Sequence, residues 1–451
     1  MHIHILGICG TFMGGLAALA RELGHEVTGA DRAAWPPMST RLRELGIEPV
    51  AGFDPGQLDA KPDLVLVGNL MSRGMPIVEA LLDSGLAYLS GPQWLGAHVL
   101  PGREVIAVTG THGKTTTSGM VAWLLQEAGL EPGFLIGGAP GNFERTARLG
   151  SGRHFVIEGD EYDTAFFDKN AKFLHYRART VIINNIEHDH ADIYADLEAV
   201  KWQFHLLVRR TPGGGRLIVN GADSNVAGLL EKGCWTKVER FSVESSVKAE
   251  WRAARLQGAR ARFQFSSGEA EGRLELPGSH NLSNALAAVA AAHGAGVDLE
   301  SACRALGSFR PPARRLQLIG RYGSGPGIAL YDDFAHHPTA IRATIEALQQ
   351  DYARVLAVFE PASNSMRSGA HLGGLSGALS GAAHAWLTPS GSLEWDPAAE
   401  FAKVANVTPC GDAKEASEAA AAAARPGDAV VFLSNSGASG CARLLSDALS
   451  E

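Results

Sequence analysis

The segment Thr109-Gly110-Thr111-His112-Gly113-Lys114-Thr115-Thr116-Thr117 constrains this chain more than any other. It follows the apolar run Glu104–Val108, which reads as a strand, and precedes the amphipathic stretch Ser118–Ala128, which reads as a helix. A glycine-rich turn in that context aims successive backbone N–H groups at one point, and the helix start adds positive potential there. Gly110, Thr111, His112, Gly113 and Thr116 would form such a phosphate cradle. Lys114 would reach the β- and γ-phosphates, and the Thr115 hydroxyl would hold Mg²⁺. Val108 stands where the full GxxxxGK[ST] pattern has glycine. The plainer alternative is a βα turn with an incidental lysine.

The flanking sequence repeats the strand–turn–helix pattern. Ile3–Leu6, His25–Ala30 and Asp63–Gly68 read as strands in the first hundred residues, with a helix over Gly10–Leu23. Strands alternating with helices predict a parallel sheet covered on both faces. Pro92, Pro101 and Gly102 mark a boundary. A second α/β unit carries strands at 104–108, 154–158, 180–184 and 216–220, and ends in the Ala-rich helix Asn281–His293. Arg310-Pro311-Pro312 reads as a linker, and a third unit has strands at 328–332, 354–359 and 429–433. Ala419–Ala424 reads as a surface helix and the Gly/Ser-rich stretch Gly369–Gly381 as a loop. The expected division is 1–102, 103–311 and 312–451.

Composition narrows the function classes. With 40 basic and 48 acidic residues, the net charge is −8, so there is no electrostatic footprint for nucleic acid or an anionic membrane. No apolar run reaches the ~18 residues of a membrane span. The cysteines, Cys9, Cys234, Cys303, Cys410 and Cys441, form no CxxC pair, which argues against a zinc site or a disulfide framework. A cytoplasmic enzyme is expected.

Further polar clusters follow the predicted strands. Gly7-Ile8-Cys9-Gly10-Thr11-Phe12-Met13-Gly14, with Asp31 ending the next strand, is close to a dinucleotide fingerprint but has Cys9 at the second glycine position. A nucleotide diphosphate would suit that helix start, and so would a turn that needs glycine for backbone reasons alone. Glu158-Gly159-Asp160-Glu161-Tyr162-Asp163 could ligate Mg²⁺ beside the phosphate loop, or be a solvated loop. In Asn184–Asp192, one metal-ligating histidine is plausible; otherwise it is a polar loop with helix-capping aspartates. Asn281 and Asn284 lie one turn apart at a helix start, where a carboxamide could read an adenine edge. Arg314-Arg315 and Asp332–Pro338 flank the second linker; for Arg314 alone, an interdomain ion pair is the simpler reading.

In order along the chain, Thr109–Thr115, Glu158–Asp163, Asn185–His190, Gly278–Asn284, Arg315 and Asp333–Pro338 resemble the signatures of the Mur ligase family. The resemblance covers nearly the whole chain. It implies an α/β fold of three domains: a Rossmann-like N-terminal domain, a central P-loop ATPase domain and a Rossmann-like C-terminal domain. It also implies ATP-dependent amide formation on UDP-N-acetylmuramate through an acyl phosphate. The implied Mg²⁺ ligands are Thr115, Glu158 and His190, with Lys114 and His336 facing the phosphates. Asn281, Asn284, Arg315 and Asp333 would hold adenosine, and Gly10, Thr11, Phe12, Met13 and Asp31 the muramyl nucleotide.

Gly91–Leu95, Asp160–Lys169, Phe359–Met366 and Ser434–Gly437 depart from the alanine-adding branch of that family. They resemble a branch that returns the murein tripeptide L-alanyl-γ-D-glutamyl-meso-diaminopimelate to UDP-N-acetylmuramate. Ala362 stands where that branch leads one to expect arginine. Asn364, Ser365, Arg367, Ser434 and Asn435 would supply the donors for the peptide carboxylates. A monomer is expected. The competing readings are the alanine-adding ligase, a P-loop kinase that leaves the first Gly-rich segment unexplained, and an NAD(P)-dependent oxidoreductase that leaves the phosphate loop unexplained.

Overall fold

A computed structural model of the chain describes residues 1–34, 38–266, 268–389, 391–436 and 440–450. Gly437 of the Ser434–Gly437 segment lies outside them. Among the described residues, three main sheets follow one another along the chain, each layered with helices.

The first sheet holds β1 (His2–Leu6), β2 (Glu26–Asp31), β3 (Val50–Ala51), β4 (Leu64–Val67) and β5 (Tyr88–Ser90). They are parallel throughout, in the order β3-β2-β1-β4-β5. Successive strands run outward from β1 in both directions, so a crevice opens between the loops after β1 and β4.

The middle sheet has ten strands: β6 (Glu104–Thr109), β7 (Gly133–Leu135), β8 (Ala147–Arg148), β9 (His154–Gly159), β12 (Thr180–Ile183), β13 (Arg216–Asn220), β14 (Lys237–Ser242), β15 (Trp251–Arg255), β16 (Arg260–Phe265) and β17 (Gly268–Arg273). Between β9 and β12 the chain makes a hairpin, β10 (Asp163–Ala165) with β11 (Asp168–Ala171). Strands β6, β9, β12 and β13 run parallel at the centre, whereas β15, β16 and β17 form an antiparallel extension that the alternating pattern did not predict. The Lys114–Glu127 and Ser279–Gly294 helices pack together over this sheet. The first was expected to be amphipathic, but it is buried almost all round from Thr115 to Leu125 because the Ala-rich helix covers its second face.

The third sheet is ordered β18-β19-β23-β20-β21-β22, from β18 (Gln317–Tyr322), β19 (Ile328–Asp333), β20 (Val355–Phe359), β21 (His384–Leu387), β22 (Val407–Pro409) and β23 (Ala429–Leu433). It is parallel except for β18. The expected loop at Gly369–Gly381 contains a helix, Leu372–Leu379. Its poor intrinsic propensity is overridden by burial of Leu375, Ala378 and Leu379. The Ala-rich helix, Ala413–Ala423, turns Ala416 and Ala420 inward onto the sheet, so only part of it meets solvent.

The two joints between units differ. One apolar cluster runs from the first unit into the second, joining Leu16, Leu19, Trp94 and Leu95 to Leu135, Ala147, Phe155 and Phe173. The β10–β11 hairpin reaches back to the first unit. Ala165 and Phe166 pack with Leu6, Val65 and Ile77, Phe167 meets Tyr88 edge-on, and Gln93 donates to Asp168. The apolar clusters of the third unit stay within it. Its contacts with the middle unit are mainly polar: Thr339 to Glu187 at 2.6 Å, Ser365 to Asp189 at 2.9 Å and Asn364 to Asp192 at 3.0 Å.

Candidate active site

A cavity of about 940 Å³ lies where all three units meet, lined by loops from the C-terminal ends of β1, β4, β6, β7, β9, β12 and β19. In open parallel sheets this is the edge where ligands bind.

The phosphate loop forms one wall. Val108 is a buried strand residue paired with Ile182 and Glu158, and the turn begins only at Gly110 (φ 128°), which explains why no glycine is needed at 108. Gly113 is left-handed (φ 79°), and a Cβ there would lie 2.4 Å from Asn284 Oδ1. The loop is braced by the segment after β12: Asn185 O accepts from Thr111 N–H, and Asn185 Oδ1 accepts from His112 N–H at 2.7 Å. Asn184 donates to Thr117 Oγ1.

Lys114 Nζ lies 2.6 Å from Glu161 Oε2, and both side chains are nearly enclosed. Burial disfavours the ammonium, but Glu161, Asp160 and Glu158 outweigh it and hold the pKa above its ordinary value. Thr115 Oγ1 donates to Glu158 Oε1 at 3.0 Å and receives Arg315 from the third unit at 3.1 Å. Gly137 N–H donates to the other Glu158 oxygen. His190 is left-handed (φ 54°), with Nε2 3.6 Å from Glu161 Oε1. Asp160, Glu161 and His190 could offer a metal ion ligand atoms lying within 4.8 Å of one another. Burial raises the Asp160 pKa, yet Lys172, Lys114 and His190 pull it well below the usual range. The acidic run after β9 is therefore a charge-paired wall rather than a solvated loop.

On the opposite wall, Gly10, Thr11, Phe12, Met13 and Asp31 all line the cavity. Asp31 accepts from Cys9 N–H at 2.8 Å, so the next strand's carboxylate fixes the turn that lacks its second glycine. Asn281 and Asn284 also line the cavity; Asn281 donates back to Pro277 O rather than capping the helix. Asp333 accepts from Leu316 N–H, Ala335 N–H and Thr344, thereby bracing the loops that carry Arg315 and His336. Arg315 also stacks over Phe334. His336 Nε2 stands 3.8 Å from Asp189. Among the described residues, the partners of Arg314 are in its own unit rather than across a joint: it binds Asp332 and the carbonyls of Ser434 and Ser436.

The proposed peptide-reading residues are not among those lining this cavity. Asn364 and Ser365 are engaged by Asp192 and Asp189 at the joint. Arg367 turns to Ser392, Ser434 Oγ donates to Glu360, and Asn435 is half-buried. Sequence reasoning did not single out Glu161, Lys172, Glu187, Asp189, His337 and His371. All but the last lay in or beside quoted motifs, and the signal was their unusual density of charge after strand ends. At the joint, Glu187 stands 3.6 Å from His112 and 3.5 Å from His337, while Asp189 lies 3.4 Å from His371. Burial pushes Glu187 up, but His112, Thr339 and His337 bring it down to about 2.

Three α/β units meeting around a phosphate loop define a nucleotide-binding enzyme, and sequence comparison makes it a ligase. Residues 2–102 match the Mur ligase family catalytic domain, 108–292 the Mur ligase middle domain and 314–436 the Mur ligase glutamate ligase domain. The chain belongs to the Mur ligase family. It is 48% identical to the UDP-N-acetylmuramate–L-alanyl-γ-D-glutamyl-meso-2,6-diaminoheptandioate ligase of Escherichia coli K12, across 100% of this chain and 99% of that one. It is 37% identical to a UDP-N-acetylmuramate–L-alanine ligase of Kineococcus radiotolerans, across 80% of this chain and 75% of that protein. Among solved structures, a murein peptide ligase from Psychrobacter arcticus superposes with a TM-score of 0.77 at 42% identity, covering 100% of this chain and 99% of that one. No helix among the described residues is long and apolar enough to cross a membrane.

Proposed function

We propose that this chain is an ATP-dependent ligase that joins L-alanyl-γ-D-glutamyl-meso-diaminopimelate to the carboxylate of UDP-N-acetylmuramate, in the reuse of peptidoglycan fragments. The observation that carries the chemistry is the shared cavity: a phosphate loop, a crevice of dinucleotide type and an arginine from a third unit face one space. The choice of acceptor rests on full-length likeness to tripeptide-adding relatives, against partial and weaker likeness to an alanine-adding one.

In this reading, residues 1–102 hold the muramyl nucleotide, 103–311 hold ATP and 312–451 bring the peptide. The diphosphate of the nucleotide sugar meets the helix start at Gly10–Thr11, with Phe12, Met13 and Asp31 beside it. ATP phosphates lie on Gly110–Thr116, where Lys114 exchanges its contact with Glu161 for phosphate oxygens. Asn281, Asn284, Arg315 and Asp333 surround adenosine. The hydroxyl of Thr115 with the carboxylate of Glu158, and the imidazole of His190 with Asp160 and Glu161, offer the donors that would hold a hard cation. Mg²⁺ bound there would neutralise charge on the phosphates.

The muramyl carboxylate attacks the γ-phosphate, ADP departs, and the α-amine of the peptide attacks the acyl phosphate and expels phosphate. Both first reactants are anions, so Lys114 must lower their repulsion. Docking of the third unit excludes water from the acyl phosphate. Arg367, Ser434 and Asn435 stand on segments following β20 and β23, whose C-terminal ends lie beside that of β19; in this reading they would take up the peptide at the rim rather than the lining of the cavity. An acceptor panel tests the reading: phosphate release with ATP and UDP-N-acetylmuramate should be fast with the tripeptide and slow with L-alanine. A preference for L-alanine would overturn it.

A further inference from the structure

Among the described lining residues of the cavity, the lysines and arginines are Lys114, Arg315 and Lys172. Lys114 belongs to the phosphate loop, and Arg315 donates to its next residue, Thr115. Lys172 serves neither that loop nor the joint with the third unit. It follows the β10–β11 hairpin directly, and its backbone N–H is tied to Tyr162 O. Its side chain is 12% exposed, with Nζ 2.6 Å from Asp160 and 5.6 Å from the ring centres of both Phe12 and Tyr162.

Those neighbours place it between two ends of the cavity. Phe12 belongs to the first turn of the helix that begins the dinucleotide-type crevice. Asp160 belongs to the cluster with Glu161 and His190, and Glu161 touches Lys114. A nucleotide sugar with its diphosphate at Gly10–Thr11 and its reacting group at Lys114 therefore passes Lys172. Asp160 takes one of the three N–H donors of this ammonium and leaves two for a ligand. The hairpin that carries it is locked to the first unit by Ala165, Phe166 and Phe167, so the cation is positioned before any ligand arrives.

We propose that Lys172 is the specificity-determining contact for the donor. Its ammonium receives the lactyl carboxylate of the muramyl sugar and distinguishes that sugar from the neutral N-acetylglucosamine nucleotide. This assignment rests on the reading of function given above. A cation there also holds the nucleophilic carboxylate beside the phosphate loop, as reaction with ATP requires.

The test is calorimetric binding of UDP-N-acetylmuramate and UDP-N-acetylglucosamine, without ATP or peptide, to the full chain and to Lys172→Gln. The expected result is a loss of about tenfold or more (~1.4 kcal/mol) in affinity for the muramyl nucleotide, with the glucosamine nucleotide changed less than about twofold. Should Asp160, left without its partner, unfold the single variant, Lys172→Gln/Asp160→Asn leaves an uncharged pair and carries the same comparison. Equal losses for both nucleotides would make Lys172 a diphosphate contact or a structural ion pair and overturn the assignment, as would no loss for either. A natural chain that binds neither nucleotide overturns the functional reading as well. Discrimination that survives in the variant overturns the Lys172 assignment alone.

Discussion

The joint between the first and middle units is built like a domain core, and the joint between the middle and third units is built like a transient interface. At the first, Gly15 and Gly96 allow close approach: a Cβ on Gly15 would meet Leu135 Cδ1 at 2.3 Å, and one on Gly96 would meet His175 O at 2.3 Å. Apolar side chains from both units fill one cluster around them. At the second, hydroxyls, imidazoles and carboxylates meet across the gap, and the apolar clusters stop short of it. Apolar area contributes ~25 cal/mol per Å² wherever water is excluded, whereas single polar contacts contribute ~1 kcal/mol net and exchange readily with water. On the proposed function, the donor site would therefore lie across a joint built to stay closed, and Arg315 would arrive on the unit held by the weaker joint.

The largest expected effect falls on the side built to stay closed. Lys114→Ala should cut amide formation by ~10²–10³-fold, the typical cost of one preorganised charge contact. Because the buried Glu161 would lose its lysine partner and keep only the longer contact with His190, the melting temperature should fall as well. Lys114→Ala/Glu161→Gln should restore melting but not rate, and a recovered rate would remove Lys114 from the chemistry.

Next comes a wedge at the first joint. Gly96→Ala pushes a methyl against a backbone carbonyl, which cannot swing aside, and should cost about 1–3 kcal/mol in denaturant unfolding. An unchanged midpoint would mean that this joint is as yielding as the other.

The second joint should respond to pH. His337 is buried, and burial together with His112 and His371 lowers its pKa from 6.5 to about 3. When the units separate it would take a proton near 6.5. The docked state thus has its full stability above pH 6.5 and loses it as pH falls, by at most ~1.4 kcal/mol per unit. Glu187 and Asp189 are also held low, but their contribution is lost only below the ordinary carboxylate range. His337 caps its helix by accepting from Thr339 N–H. His337→Asn keeps a good cap and should flatten the slope of domain docking between pH 6.5 and 5. An identical slope in the variant would show that other groups set it.

The smallest effect is expected from Ser365→Ala, which removes two hydrogen bonds across this joint, one to Asp189 and one from Ala191 N–H, each about 1 kcal/mol. The KM for ATP should rise a few-fold, with global melting almost unchanged. A large melting shift would show that the polar joint is structural.

The rigid part of the site was the more legible in the sequence. The phosphate loop combines a strand, left-handed glycines and a helix start in consecutive residues, so local pattern alone marks it. Asp31 could be picked out because it ends a strand. The pairing of Lys114 with Glu161 could not, because it joins strand ends 47 residues apart and depends on which strands are neighbours. The β10–β11 hairpin was visible only as an unusual run, since its apolar residues match a face on another unit. Asn364 and Ser365 read as peptide donors because strand-end loops commonly bind ligands; their bonds to Asp192 and Asp189 depend on how the third unit docks. The Leu372–Leu379 helix was missed for a similar reason, with packing on the sheet outweighing three glycines in and beside its first turns.

Spin labels test the contrast most directly. One pair at Glu44 and Glu231 spans the first joint, and a second at Glu231 and Lys414 spans the other; all three positions are exposed. Distance distributions would be measured with and without a non-hydrolysable ATP analogue plus UDP-N-acetylmuramate, in a chain cleared of reactive cysteines. The account predicts that the Glu231–Lys414 distribution is broad alone and narrows with both ligands, while the Glu44–Glu231 distribution stays narrow and fixed. A shift of equal size across both joints, or none across the second, would contradict it.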